Sequence, residues 1–324
     1  MREHGGDLDR AISLYGGTRQ SWLDLSTGIN PHAYHLPDIA QDYWANLPDH
    51  ALFEAAERAA QKAYHTDARC MPIAGAQQAI QLYPAIIPKG GNDARLLSPT
   101  YNEHEAQLNR HGWQVSLCDR LDDLRGADCA VVVNPNNPDG QVFTPQQLAT
   151  LGDEVGTLII DESFCDPHPE ASLLPRLDKQ MGNRIILRSF GKFYGLAGMR
   201  LGFVCGTGAM IEEIADGAGK WNVSGPALAV GSAALQDVTW RDEMIGRLTQ
   251  EADQLDKIVC AHGLKLVGGT TLFRLYEADD ARAIQNQLAK NYIWSRIFSY
   301  NPKWIRLGLP DATGWARLED ALAS

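Results

Sequence analysis

Short runs at 95–97, 114–117, 129–133, 158–160, 185–187 and 202–205 recur along the first two thirds of this chain, and several are apolar throughout. A strand with one face in water alternates apolar and polar residues. A strand that is apolar at every position needs cover on both faces, which is the condition inside a mainly parallel sheet sandwiched between helices. Helical patterns separate the runs. Residues 51–64 form one amphipathic stretch, and Gly75-Ala76-Gln77-Gln78 opens another that is expected to end near Pro84.

The texture changes after Pro226. A long helical pattern over 227–261 is followed by strands at 265–267 and 272–276, a helix near 279–290, strands around 293–297 and 304–307, and a terminal helix from Thr313. That β-β-α-β-β-α order predicts a smaller α+β domain. With 324 residues, roughly two domains are expected. The division predicted is a large α/β domain over 33–220, with 1–32 and 221–324 joining as the small one.

Charge narrows the partners. The net charge is −11, and no basic patch is present, which argues against nucleic acid or an anionic membrane surface. The cysteines at 70, 118, 129, 165, 205 and 260 show no metal-ligand spacing, so no metal is expected. The first residues lack the apolar core of a signal peptide, and no apolar run is long enough to span a bilayer, so a cytoplasmic location is the expectation.

Five local signals carry chemistry. Lys192 follows an apolar strand within Ser189-Phe190-Gly191-Lys192-Phe193-Tyr194-Gly195, with Arg200 eight residues on. A partly desolvated lysine yields the neutral amine that attacks a carbonyl, and a hydroxyl and a guanidinium are suited to a phosphate. Read alone, the lysine is equally an exposed loop residue. Asp161 ends the apolar run Ile159-Ile160, at the strand edge where α/β sheets bind ligands, although an N-cap and a metal carboxylate are both common roles for such a residue. Asn137 lies in Asn134-Pro135-Asn136-Asn137-Pro138-Asp139-Gly140, a non-helical loop that is either a plain turn or a mount for an amide. Gly75 precedes a helix whose first N–H groups, at Ala76 and Gln77, suit a phosphate. Tyr101, just beyond a strand end, suits either core packing or stacking on a flat ring.

The order of these signals, namely phosphate loop, aromatic, Asn, Asp, Lys, Arg, resembles that of the fold-type I pyridoxal-phosphate enzymes, the aspartate aminotransferase superfamily, over essentially the whole chain. The resemblance implies pyridoxal 5'-phosphate (PLP) held covalently by Lys192. It implies Asp161 on the pyridine nitrogen, Asn137 on the ring oxygen O3′ and Tyr101 stacked on the ring. Ala76, Gln77, Ser189 and Arg200 are implied at the phosphate. Many relatives place a tyrosine three residues after the aspartate, where this chain has Phe164. A homodimer is also implied, with a tyrosine reaching the neighbouring cofactor phosphate; Tyr34, Tyr43 and Tyr64 are the candidates.

A narrower resemblance comes from His4-Gly5-Gly6, from the run Leu23-Asp24-Leu25-Ser26-Thr27-Gly28-Ile29-Asn30-Pro31, and from Gly268-Gly269-Thr270-Thr271-Leu272-Phe273-Arg274. It points to the threonine-phosphate decarboxylases of cobalamin (vitamin B12) biosynthesis, related to the histidinol-phosphate aminotransferases. The better-described branch has Asn where Gly28 stands here. The implied reaction turns L-threonine O-3-phosphate into (R)-1-amino-2-propanol O-2-phosphate and CO2. Arg306, with Arg296 nearby, is implied at the substrate carboxylate, and His4, Gly5, Gly6 and Asn30 at the substrate. An aminotransferase of the histidinol-phosphate type shares every cofactor residue and is the alternative.

Overall fold

The computed structural model describes residues 5–88 and 90–324, which fall into two compact units. The larger holds 34–137 and 141–241, and the smaller holds the N-terminal residues through Ala33, the tripeptide Pro138–Gly140 and Asp242–Ser324.

The larger unit is built on a seven-stranded sheet. Its strands in chain order are β1 (Arg69–Ile73), β2 (Asp93–Leu97), β3 (Gln114–Cys118), β4 (Cys129–Val133), β5 (Thr157–Asp161), β6 (Arg184–Ser189) and β7 (Gly202–Gly206). They lie in the order β1-β7-β6-β5-β4-β2-β3. The five from β6 to β3 run parallel, β7 is antiparallel to β6, and β1 is antiparallel to β7. β4, β5 and β7 are buried at every position, as their unbroken apolar runs require. Six of the seven strands sit on the predicted runs. β1 is additional: in Arg69-Cys70-Met71-Pro72-Ile73 a proline interrupts the apolar residues, and it is tolerated there because β1 lies at the sheet edge.

The helix expected to stop near Pro84 continues to Ile86. The proline falls in its last turn, where it removes one backbone bond without ending the helix, and its carbonyl accepts Trp113 Nε1–H at 2.8 Å.

In the smaller unit four strands form an antiparallel sheet: β8 (Lys265–Thr270), β9 (Phe273–Glu277), β10 (Arg296–Phe298) and β11 (Asn301–Gly308), in the order β10-β11-β9-β8. Helices Ala281–Lys290 and Gly314–Ala323 follow the predicted pattern. Ile293–Trp294 breaks away from that sheet and pairs in parallel with Leu23–Asp24, next to a cluster of Leu8, Ala11, Trp22, Ala289 and Trp294. This ties the chain's start to its last third.

The contacts put the end of the larger unit at Arg241 rather than at residue 220. Helix Gly225–Gln236 is alanine- and glycine-rich, and it packs closely on the alanine face of helix His50–Ala63, within that unit. Among the described residues, no helix is long and apolar enough to cross a membrane.

Candidate active site

Parallel strands deliver their C-terminal ends to one edge, and the loops beyond Leu97, Val133, Asp161 and Ser189 all leave from that edge. The larger unit therefore gathers Tyr101, Asn137, Asp161 and Lys192 by topology alone. Asp161 is buried and pairs in register with Val133 on one side and Leu187 on the other.

His104, which has no exposed surface, lies with Nε2 3.1 Å from Asp161 Oδ2 and Nδ1 3.1 Å from the Tyr83 hydroxyl. An ionised carboxylate only accepts, so Nε2 carries the donated proton. The Ser163 backbone N–H donates to the other Asp161 oxygen at 2.9 Å. Burial pushes the Asp161 carboxyl up. The hydrogen bond and positive electrostatics of His104, the charge of Lys192 and the Ser163 bond outweigh it and leave the group below the usual carboxylate range. A buried carboxylate held charged in this way suits a protonated ring nitrogen.

Lys192 is half-buried, and its Nζ lies 4.5 Å from the centroid of the Phe164 ring, over the ring face. Phe164, the departure from the usual tyrosine, thus gives the amine an apolar, electron-rich floor and no hydroxyl.

The expected phosphate residues also converge. Gly75 has φ +78° and caps helix Ala76–Ile86. A Cβ there would sit 2.5 Å from Arg200 Nη2, so only glycine lets the guanidinium lie against the turn. Gly202, opposite Ser189 on the neighbouring strand, leaves room for the Ala76 N–H, which a Cβ would approach to 2.7 Å. Arg200 itself adopts the left-handed conformation, and its Nη1 donates to the Ala197 carbonyl at 3.0 Å. A helix N-terminus, a hydroxyl and an arginine form a cradle fitted to a phosphate. The Gln77 side chain is engaged elsewhere. It accepts from the Tyr101 hydroxyl at 3.0 Å and donates to Glu103 at 3.2 Å, which leaves its backbone for the cradle.

Asn137 follows Asn136, whose amide donates to the Pro99 carbonyl at 2.9 Å and whose oxygen accepts from Thr100 at 2.7 Å. The Asn137 loop is thereby stitched to the Tyr101 loop. Of the three candidate tyrosines, Tyr34 and Tyr64 are buried, and Tyr43 is exposed. Tyr34 donates to Asp237, and Tyr64 lies 4.1 Å beneath the Arg188 guanidinium.

The residues expected around the substrate lie in the smaller unit. Arg306 is buried on β11, directly across from Arg296 on β10. Its Nη2 donates to the Ser26 carbonyl at 2.7 Å, and its guanidinium lies 4.9 Å from the Phe273 ring centroid. Burial, and then the facing Arg296, pull its pKa down to about 10. Gly5 is packed so closely that a Cβ would overlap the same Ser26 carbonyl, and the Gly6 N–H donates to Ser26 Oγ at 2.7 Å. The glycine pair and Arg306 therefore meet at one residue. Asn30 is buried, with its side-chain oxygen accepting from the His32 N–H at 2.8 Å. His4 lies outside the described residues.

Sequence reasoning assigned no role to His104, although it lies three residues after Tyr101 and one helical turn brings it under the same site. Nor did it find the buried set at the end of the strand that precedes Lys192, where Arg188 joins Glu162 at 2.9 Å and Asp166 at 2.6 Å.

The model of the aminotransferase class I and II family matches residues 22–318. The chain is 41% identical over 327 residues to a threonine-phosphate decarboxylase of Sinorhizobium sp, covering 99% of this chain and 97% of that protein. It is 38% identical over 333 residues to a threonine-phosphate decarboxylase of Pseudomonas aeruginosa, with the same coverage of 99% and 97%. Among solved structures, a histidinol-phosphate aminotransferase from Sinorhizobium meliloti, in complex with pyridoxal-5'-phosphate, shares the fold with a TM-score of 0.82 at 18% identity, over 97% of this chain and 93% of that one.

Proposed function

The chain belongs to the aminotransferase class I and II family, and on that premise we propose that it is a PLP-dependent decarboxylase of L-threonine O-3-phosphate, releasing CO2 and (R)-1-amino-2-propanol O-2-phosphate. The observation that carries this reading is the full-length likeness to two threonine-phosphate decarboxylases. The pathway is then cobalamin biosynthesis. We read the enzyme as a cytoplasmic homodimer, the usual state of the family it resembles.

The cofactor, when bound, supplies an electron sink for the electron pair left as CO2 departs. The chain's own groups do the rest. Asp161, kept ionised by His104, holds a proton on the ring nitrogen. Lys192 would supply the amine that holds the cofactor covalently and would move a proton at the substrate carbon. Asn137 donates to the ring oxygen and Tyr101 covers the ring. The Ala76 and Gln77 N–H groups, Ser189 and Arg200 anchor the phosphate. Arg306, with Arg296, takes the substrate carboxylate and sets its angle, which selects the bond to the carboxylate over the bond to hydrogen. Gly5, Gly6, Asn30 and His4 take the remaining substrate contacts.

Purified protein incubated with PLP and threonine phosphate should release one CO2 per substrate consumed. Amino transfer to 2-oxoglutarate without CO2 would overturn the decarboxylase reading in favour of the histidinol-phosphate type.

A further inference from the structure

The side chain of Gln77 is held in one orientation. Glu103, the buried first residue of helix Glu103–Arg110, turns one carboxylate oxygen to two amide groups, Gln77 Nε2 at 3.2 Å and Gln107 Nε2 at 3.4 Å. A carboxylate only accepts, so both amides present their nitrogens to it. That leaves Gln77 Oε1 facing the Tyr101 hydroxyl, 3.0 Å away, and because an amide oxygen only accepts, the hydroxyl donates. The chain of bonds therefore runs in one direction, from Tyr101 through Gln77 to Glu103. All of its members lie in the larger unit.

This bond fixes one of the two motions open to the Tyr101 side chain. The hydroxyl oxygen lies on the axis about which the ring spins, so holding it fixes where the axis points and not how the ring is turned. The turn is limited by His104, whose ring lies nearly perpendicular to that of Tyr101, at 85° and 6.2 Å between centroids. His104 is itself held by Asp161 and Tyr83. Gln77 also stands in the first turn of helix Ala76–Ile86, so the residue that aims the tyrosine is one of the two whose backbone N–H groups enter the phosphate cradle.

We propose that Gln77 is a positioning residue for Tyr101. Its side chain, oriented by Glu103, aims the tyrosine ring at the cofactor, while its backbone N–H takes the cofactor phosphate, so that one residue sets the ring cover relative to the phosphate anchor. This rests on the roles given to Tyr101 and Gln77 under Proposed function.

The test reads the visible circular dichroism per bound PLP, which reports the asymmetry of the ring's surroundings, together with PLP affinity. Tyr101→Leu, which removes the ring, is the reference for lost cover. Gln77→Met keeps the backbone N–H and nearly the same side-chain length but offers no amide. It should change the ellipticity in the same direction as Tyr101→Leu, by less, and weaken PLP binding about two- to tenfold, the range of one ordinary hydrogen bond. Tyr101→Phe, which keeps the ring and loses the hydroxyl, should reproduce this, and the two changes together should do little more than either, as coupled positions do. Glu103→Gln, which lets the Gln77 amide turn over, should act in the same direction. In cofactor-free protein, Gln77→Met and Tyr101→Phe should also be non-additive in urea unfolding, because the bond is made before the cofactor binds. Tyr101→Phe and Glu103→Gln carry the test where Gln77→Met does not fold. A wild type with no visible band after PLP addition overturns the cofactor reading. A wild type with the band, and a Tyr101→Leu variant that matches it in ellipticity and affinity, overturns the role given to Tyr101. A response to Tyr101→Leu with none to Tyr101→Phe or Glu103→Gln overturns the positioning alone, as does an effect of Gln77→Met that adds in full to that of Tyr101→Phe.

Discussion

Replacing His104 with phenylalanine tests what keeps Asp161 charged. The new ring nearly fills the old volume but removes Nε2, 3.1 Å from Asp161, and Nδ1, 3.1 Å from Tyr83. To keep Tyr83 from contributing an orphaned hydroxyl, the comparison is between Tyr83→Phe and Tyr83→Phe/His104→Phe. Asp161 is fully buried and holds its remaining bond from Ser163. Losing a hydrogen bond to a buried charge costs about 1.5–3 kcal/mol. That corresponds to roughly one to two units of Asp161 pKa, and to about 2–4 °C of melting temperature per kcal/mol in a domain of this size.

The sign follows from linkage. In the wild type the Asp161 pKa lies below its unfolded value. Its contribution to stability is therefore present above the unfolded pKa, ~3.9, and is lost as pH falls through the lower folded value. Without His104, burial prevails, the folded pKa rises, and the variant's deficit should be largest near pH 7 and shrink toward pH 4. Melting followed by circular dichroism on cofactor-free protein at both pH values measures this. At pH 7 the affinity for PLP should also fall about tenfold. A double variant that melts within a degree of Tyr83→Phe at pH 7 refutes the argument, because His104 would then contribute nothing to Asp161.

Lys192→Ala should remove the visible band after PLP addition and abolish CO2 release while the melting temperature without cofactor stays near wild type; a retained band would place the covalent link elsewhere. Arg188→Leu leaves Glu162 and Asp166 buried without their cation. A loss of about 3–5 kcal/mol is expected in urea unfolding, and it should ease as pH falls, since burial already raises the Glu162 carboxyl. Arg306→Ala should raise KM by the equivalent of about 2–5 kcal/mol, and an unchanged KM would move the carboxylate contact to another residue.

What could be read in the sequence was what a strand end dictates. Asp161 ends an apolar run and Lys192 follows one, and an apolar strand in a parallel sheet fixes both where its last residue goes and that its neighbours end there too. His104 was not legible for the opposite reason. It lies in a helix with few apolar residues, and its partner Asp161 is 57 residues away, so only the fold shows that the two meet. β1 was hidden by Pro72 and by its place at the sheet edge, where no unbroken apolar run is needed. The close packing at Gly268 was hidden because glycine signals only that something comes close, and what comes close is the Asp139 carbonyl, from a loop far earlier in the chain.

The net charge of −11 and the proposed site for anions are reconciled by how individual arginines are held. Arg188 meets two carboxylates, and Arg274 meets Asp256 through two nitrogens, at 3.0 and 2.7 Å; such arginines are neutralised where they stand and hold elements together. Arg306 is arranged differently. It is buried, meets a carbonyl and an aromatic face, and has Arg296 directly across the ladder. Both burial and its neighbour disfavour its charge. A carboxylate or phosphate bound beside Arg306 would offset the repulsion between the two guanidinium groups. Affinity for an anion at Arg306 would be set by the buried guanidinium and the facing Arg296 at contact distance, rather than by the net charge of the chain.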